Sequence, residues 1–140
     1  PDGSGAAQAM RLALAMAGVK PDAIDYINAH STSTPVGDAA EMAAIRSVFP
    51  GRGKDLSVTS TKSATGHLLG AAGALEAVYS VMALQDGIVP PGLNLHDPVP
   101  EAAVFDLVPL TARRKDLAWV LSNGFGFGGV NASLVFGRVW

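Results

Sequence analysis

The chain has 140 residues, with ten basic and twelve acidic side chains and a formal net charge of −2. A chain of this length can form one domain with a hydrophobic core. Its basic residues form no block that would indicate nucleic acid or an anionic membrane surface as a partner. No apolar run approaches the roughly 20 residues of a transmembrane helix. We therefore expect a soluble, cytoplasmic protein with neither partner.

Cysteine is absent from the sequence. This excludes disulfides, thiolate metal sites and a cysteine nucleophile within the chain. Charged residues make up only 16% of the sequence, which is low for a free-standing domain. We expect other protein to cover part of the surface. Because the sequence begins with Pro1 and not with methionine, we also expect residues 1–140 to form one domain that is a segment of a longer chain.

Three helices are predicted from apolar residues at helical spacing, over residues 4–18, 33–49 and 67–87. Ser4 and Thr34 are placed to cap the first two helices, and Pro35 suits a first helical position. Gly18 is placed to end the first helix. The third helix is rich in alanine and glycine, which allow close approach to another element.

Five strands are predicted, over residues 24–30, 56–62, 105–109, 119–128 and 131–139. A glycine-rich turn joins the last two. Residues 88–102 are rich in proline and show no period, which indicates a surface connection. Helices and strands alternate early and strands pair at the end. This order predicts a layered α/β fold with a mixed sheet.

Three candidate functional residues lie just after predicted strands and before helices, namely His30, Lys62 and His67. In open α/β sheets this carboxyl edge is where ligands bind. A structural reading is also open, because a single histidine after a strand is more often a satisfied structural residue. The glycines of residues 124–129 are likewise typical of a tight hairpin turn. They do not form a dinucleotide fingerprint, since a strand follows them.

Four segments together resemble one family, namely YINAHSTSTPVGDAAE (26–41), TSTKSATGHLLGAAGALEA (59–77), PPGLNLHDP (90–98) and SNGFGFGGVNASL (122–134). Their order and spacing resemble the elongating β-ketoacyl-acyl-carrier-protein synthases of the thiolase superfamily, close to synthase II. The resemblance implies the C-terminal half of a five-layer α-β-α-β-α fold made of two similar halves. It also implies a homodimer.

The resemblance implies a condensing enzyme of fatty acid elongation. An active-site cysteine, in the N-terminal half of the same protein, accepts an acyl group from acyl carrier protein. Malonyl-acyl carrier protein then loses carbon dioxide, and the resulting enolate attacks the acyl thioester. No metal and no cofactor of the protein's own is implied, because phosphopantetheine arrives on the carrier protein.

The family's two active-site histidines match His30 and His67. Two neutral imidazoles can each donate an N–H to the thioester oxygen as charge develops on it. Lys62 matches the family's lysine, which can orient the imidazole of His67 or hold a water network. Glu76 matches the family's buried glutamate, for which we expect a supporting role to Lys62.

The glycine-rich turn resembles the family's oxyanion and gating segment. The backbone N–H of Phe127 matches an oxyanion donor, and its ring matches a gate to the acyl pocket, with Phe125 beside it. An ordinary core role for Phe125 stays equally open. Thr32 and Thr34 match two threonines that bind phosphopantetheine, whose amides suit hydroxyl partners.

The sequence departs from the family at two positions, with Ser31 in place of the usual glycine and Val130 in place of threonine. Two other functions remain open: a non-catalytic partner subunit like a chain-length factor, and a polyketide ketosynthase. The intact histidines and lysine argue against the first, and the HSTST motif looks more like the free-standing type. We expect the isolated chain to lack condensing activity because it has no cysteine.

Overall fold

The computed structural model describes residues 2–139. Its α-helices are α1 (Ser4–Ala17), α2 (Pro35–Val48), α3 (Lys62–Thr65) and α4 (Ala72–Asp86). Its strands are β1 (Tyr26–Asn28), β2 (Ser57–Thr59), β3 (Ile88–Val89), β4 (Arg113–Arg114), β5 (Trp119–Phe125) and β6 (Asn131–Gly137). None of the helices in residues 2–139 has the length and apolarity needed to cross a membrane.

The main sheet has four strands in the order β2-β1-β5-β6. Strands β1, β2 and β5 are parallel, and β6 runs antiparallel to β5. Ile27 at the centre of β1 lies opposite Val58 on one side and Leu121 on the other. The predicted mixed sheet is therefore confirmed, and the parallel strands bring their carboxyl ends to one edge.

Helices cover both faces of this sheet. Ile27 and Leu121 belong to a buried cluster with side chains of α1 and α2. Their neighbours Tyr26 and Val120 point the other way, into a second buried cluster with the α4 residue Leu84. Alternate residues of a strand face opposite sides, so a strand with helices on both faces is buried along its whole length, as β1 and β2 are. The result is a helix–sheet–helix arrangement.

The first helix is confirmed, but its predicted cap is wrong. The cap position is Gly3, which has φ 79°, and Ser4 is the first helical residue. Asp2 accepts hydrogen bonds from the backbone N and the Oγ of Ser4, at 3.0 and 2.7 Å. Gly18 ends the helix as predicted, because its φ of 64° is a left-handed conformation that favours glycine.

The second helix begins as the sequence predicts, with Pro35 at its first position and Thr34 at the cap position. Thr34 makes no side-chain capping hydrogen bond to the helix, however. Its Oγ1 lies 3.2 Å from the Oγ1 of Thr32. The Thr34 hydroxyl therefore contacts Thr32 and does not cap a backbone N–H of the helix.

The segment from residue 56 to residue 71 differs from the prediction. Strand β2 ends at Thr59, and Lys62 begins the four-residue helix α3. The hydroxyl of Thr61 accepts a hydrogen bond from the buried Asn28 side chain at 3.2 Å, which turns the chain out of the sheet. Gly66 follows α3 at φ 73°, so the long helix predicted from residue 67 begins only at Ala72.

The strand predicted over residues 105–109 is wrong. Asp106 forms only an isolated bridge with Ser57, and Val108 has a positive φ of 43°, which breaks an extended strand. The Asp106 carboxylate accepts hydrogen bonds from the backbone N of Val108 and from Arg113. The region predicted as an irregular connection contributes β3 instead, which pairs antiparallel with β4.

Candidate active site

The two candidate histidines lie together at the carboxyl edge of the sheet. His30 follows β1, and His67 follows the α3 turn that leaves β2. Their ring centroids are 5.5 Å apart and the rings are nearly perpendicular, at 88°. His30 is partly buried and His67 is exposed. The sequence prediction that both histidines meet at this edge is confirmed.

The hydrogen bonds of His67 fix which ring nitrogen can donate. The backbone N of Leu69 donates to Nδ1 of His67 at 3.3 Å. A neutral imidazole whose Nδ1 accepts a hydrogen bond has its proton on Nε2. Neutral His67 therefore offers an Nε2–H donor, which is the group that can stabilise a developing oxyanion.

The imidazole of His30 is held in its neutral form. Burial, most strongly, and the nearby Lys62 ammonium and His67 together lower its pKa from 6.5 to about 4. The ring contacts Phe125, with centroids 6.0 Å apart. A neutral histidine beside a lysine can donate one hydrogen bond and accept another without adding a second positive charge to the site.

Lys62 forms a buried ion pair with Glu76 of α4. The side chains are 5% and 4% exposed. Burial raises the pKa of Glu76, and the Lys62 hydrogen bond and charge oppose that shift. Glu76 thus contacts Lys62, the residue for which we expect it to have a supporting role. A direct hydrogen bond from Lys62 to His67 is absent from residues 2–139, because the ammonium faces the glutamate and the His67 ring is held by Leu69.

A further buried carboxylate, Glu41, was missed by the sequence reasoning. Its Oε1 accepts hydrogen bonds from the backbone N of His30 at 2.9 Å and from Asn123 at 3.1 Å. Its Oε2 accepts from the backbone N and the Oγ of Ser31, at 2.7 and 3.0 Å. A signal existed, because Glu41 lies on the same helical face as the buried Ile45.

The two candidate phosphopantetheine ligands lie in the loop between β1 and α2. Their hydroxyls are in contact, with 3.2 Å between the Oγ1 atoms of Thr32 and Thr34. Thr32 also lines a cavity of about 540 Å³, together with Lys62 and His67. Residues 92–95 and 97–99 line another part of this cavity. The cavity gives a ligand that reaches the Lys62–His67 turn a hydroxyl-rich side to bind against.

The two phenylalanines of the glycine-rich turn have different surroundings. Phe125 ends β5, packs partly against the core and contacts the His30 ring. Phe127 begins a 3₁₀ turn and its side chain is fully exposed. The next two residues, Gly128 and Gly129, have φ values of 78° and 79°, which suit glycine. The exposed ring of Phe127 is thus followed by two residues whose backbone conformation favours glycine.

A family model settles the family of the chain. The model described as "Beta-ketoacyl synthase, C-terminal domain" matches residues 1–96. The chain belongs to the beta-ketoacyl synthase family. This match includes His30, Lys62, His67 and Glu76, and it ends before the glycine-rich turn.

Curated relatives of this ketosynthase domain extend the similarity to nearly the whole chain. The 3-oxoacyl-[acyl-carrier-protein] synthase 2 of Vibrio harveyi is 50% identical over 99% of the chain and 33% of its own length. The mitochondrial 3-oxoacyl-[acyl-carrier-protein] synthase of Arabidopsis thaliana is also 50% identical, over 99% of the chain and 30% of its own length. The chain spans about a third of the length of the relatives it matches.

Solved ketosynthase structures share the backbone of the domain. A beta-ketoacyl synthase from Burkholderia phymatum superposes with a TM-score of 0.92 at 44% identity, over 100% of the chain and 34% of its own. The ishigamide ketosynthase/chain length factor superposes with a TM-score of 0.94 at 37% identity, over 100% of the chain and 34% of its own. The polyketide complex AntDE:AntF, a ketosynthase with its acyl-carrier protein, superposes with a TM-score of 0.93 at 31% identity, over 99% of the chain and 34% of its own. The expected thiolase-like ketosynthase fold is confirmed.

Proposed function

We propose that the chain is the C-terminal part of a 3-oxoacyl-acyl-carrier-protein synthase of fatty acid elongation. In this function it provides the histidine side of a site for decarboxylative Claisen condensation. The observation that carries the proposal is the pair of adjacent imidazoles, His30 and His67, with centroids 5.5 Å apart. A second support is the 50% identity with synthases of this name.

The chemistry requires donors for a thioester oxygen. When malonyl thioester loses carbon dioxide, its electron pair moves onto the thioester oxygen and forms an enolate. The Nε2–H of His67 is one donor for that oxygen, and the neutral His30 imidazole is the second. The enolate carbon then attacks the acyl thioester on the nucleophile, and the nucleophile's sulfur leaves as thiolate.

The nucleophile must come from another part of the protein, because the chain has no cysteine. We assign it to the N-terminal half of a longer protein. The backbone N–H of Phe127 is the proposed oxyanion donor on the acyl side, and the Phe127 ring is the proposed gate. Its full exposure and the two following glycines support a ring that can move. Phe125, against His30, is the inner neighbour of this gate.

The carrier of both substrates is proposed to be acyl carrier protein. Thr32 and Thr34 are proposed to bind the amides of the phosphopantetheine arm through their adjacent hydroxyls. A similar ketosynthase has been solved with its acyl-carrier protein, which supports this class of partner. The protein then needs no cofactor of its own. We further propose that the protein is a cytoplasmic homodimer.

A polyketide function is the second candidate, because the similar structures include ketosynthases paired with chain-length factors. The 50% identity with 3-oxoacyl-[acyl-carrier-protein] synthase 2 exceeds the 37% with the ishigamide pair. A non-catalytic chain-length factor has no need of neutral His30, the Lys62–Glu76 pair and an Nε2–H on His67. Fatty acid elongation is therefore the function we favour.

A condensation assay tests the proposal. The full-length gene product is incubated with an acyl-acyl carrier protein and malonyl-acyl carrier protein, and the carrier-bound product is weighed by mass spectrometry. We expect a 3-oxoacyl product two carbons longer than the acyl substrate. Carrier proteins that stay unchanged with the purified, folded protein would contradict the proposal. Repeated extension without reduction between steps would favour the polyketide candidate.

A further inference from the structure

We propose that the hydroxyl of Ser31 positions the catalytic imidazole of His30, an inference that rests on the function proposed above. Ser31 directly follows His30 in the loop between β1 and α2. Its Oγ donates to Oε2 of Glu41 at 3.0 Å, and its backbone N donates to the same oxygen at 2.7 Å. Its backbone O accepts from the Oγ of Ser60 at 3.0 Å.

These contacts join Ser31 to both sides of the site. Glu41 lies on α2, whereas Ser60 lies in the turn between β2 and α3 that leads to Lys62 and His67. The position of residue 31 therefore fixes the His30 loop relative to the element that carries His67. These hydrogen bonds matter because the rings of His30 and His67 must face one thioester oxygen at the same time.

The imidazole of His30 depends on this anchoring more than that of His67 does. Within residues 2–139 the His30 ring makes no hydrogen bond to a protein atom and contacts only the rings of His67 and Phe125 among aromatic side chains. The His67 ring, by contrast, is held by the backbone N of Leu69. The orientation of His30 therefore rests on its backbone, which Glu41 holds through the N–H of residue 30.

Glu41 needs each of its hydrogen bonds. The carboxylate is 3% exposed and forms no ion pair with a cation of the described residues. A buried carboxylate without a charged partner is stable only when donors satisfy it. Two of its donors are backbone amides, which any substitution other than proline keeps, and a third belongs to Asn123 in the core. The Ser31 hydroxyl is the donor that a single exchange in this loop can remove.

The test compares three variants of the full-length gene product with the wild type. Ser31→Ala removes the hydroxyl, and Ser31→Thr keeps it. Ser47→Ala is a matched control on α2, because its Oγ also makes hydrogen bonds, to Ala44 and Arg11, but lies away from the histidines. Each variant is measured for carbon dioxide release from malonyl-acyl carrier protein, for acyl transfer to the nucleophile, and for Tm.

We expect Ser31→Ala to release carbon dioxide about tenfold more slowly, since small displacements of a catalytic group have effects of this order or larger. Acyl transfer should stay within about twofold, because that step uses the nucleophile and the Phe127 side of the site. Ser31→Thr should restore the release rate, and Ser47→Ala should match the wild type in both steps. A selective loss of one step, with rescue by threonine, is not the pattern that mere destabilisation would give.

Three results would overturn the inference. The first is a Ser31→Ala variant that releases carbon dioxide at the wild-type rate. The second is an equal loss of both steps with a lowered Tm, which would make Ser31 structural only. The third is a folded Ser31→Thr variant as slow as Ser31→Ala. A wild-type protein that releases no carbon dioxide at all would reject the proposed function as well, so the two failures are distinguishable.

Discussion

Lys62 and Glu76 form an ion pair in which neither side chain is more than 5% exposed. Such a pair is costly to break from one side, because the remaining charge stays buried without a partner. We expect Lys62→Met to lower the free energy of unfolding by about 3–5 kcal/mol. The double variant Lys62→Met with Glu76→Gln should recover most of that loss. Urea unfolding of the three proteins measures both effects.

The exposed pair between Arg138 and Asp116 provides the control for this experiment. The Asp116 side chain is 89% exposed. Asp116→Asn should change the free energy of unfolding by at most about 1 kcal/mol, as exposed pairs do. If Lys62→Met cost no more than Asp116→Asn, or if the double variant were less stable than the single one, the buried pair would not have the role assigned to it.

The pKa of about 4 for His30 predicts a pH dependence of the site. A histidine in the unfolded chain has a pKa of about 6.5. Between these values the unfolded state binds more protons, so the contribution of His30 to stability falls as pH drops from about 6.5 to about 4 and is constant above that window. Above pH 5 the folded imidazole is mostly neutral. NMR titration of labelled histidines should therefore show one signal with a midpoint near about 4.

Assignment of that NMR signal comes from a His30→Gln variant, in which it should disappear. The exposed His96 serves as an internal reference in the same spectra. If the signal lost in His30→Gln had a midpoint near about 6.5, the burial and the Lys62 charge would not depress the pKa as described.

Glu41→Gln should weaken the site without a large change of shape. An amide keeps one acceptor oxygen, but its NH₂ group faces donors, because both carboxylate oxygens of Glu41 accept hydrogen bonds. We expect a loss of about 1–3 kcal/mol in the free energy of unfolding. The rate of carbon dioxide release should also fall at temperatures where the Glu41→Gln variant is still fully folded. A Gln variant with wild-type stability and wild-type release would contradict the role of Glu41 as an ionised acceptor.

The isolated 140-residue chain should show no condensing activity, since it has no cysteine. The purified chain is incubated with acyl- and malonyl-acyl carrier proteins, and the products are weighed. Intact-mass analysis after iodoacetamide gives the matched observation: the chain should take no thiol adduct, whereas the full-length gene product should gain one that reacts fast. Turnover by the isolated chain would show that another group serves as nucleophile.

Much of this fold could be predicted because its signals are local. The apolar spacing of α1, the Gly18 stop and the Pro35 start depend on residues close in sequence. The early end of β2 could not be predicted, since it depends on the contact of Thr61 with Asn28, which lies 33 residues away. The strand expected at residues 105–109 failed for a similar reason, because the Asp106 carboxylate binds Ser57 and Arg113.

The candidate site could also be predicted only in part. The positions of His30 and His67 follow from strand ends, which the sequence indicates. The partners of Glu41 do not, because Asn123 is 82 residues away along the chain. A carboxylate on the apolar face of α2 does indicate that Glu41 is buried and paired, but not which backbone amides it binds. The full exposure of the Phe127 ring likewise depends on how residues 126–130 turn, and no spacing rule gives it.

Carbon dioxide release from malonyl-acyl carrier protein tests the central claim most directly. His30→Ala and His67→Ala are introduced into the full-length gene product, with His96→Ala as the matched control on the 88–102 connection. Loss of either donor should slow release by about 10²–10³-fold, while His96→Ala should keep the wild-type rate and all three variants should stay folded. Folded His30→Ala and His67→Ala proteins that release carbon dioxide as fast as the wild type would contradict the account.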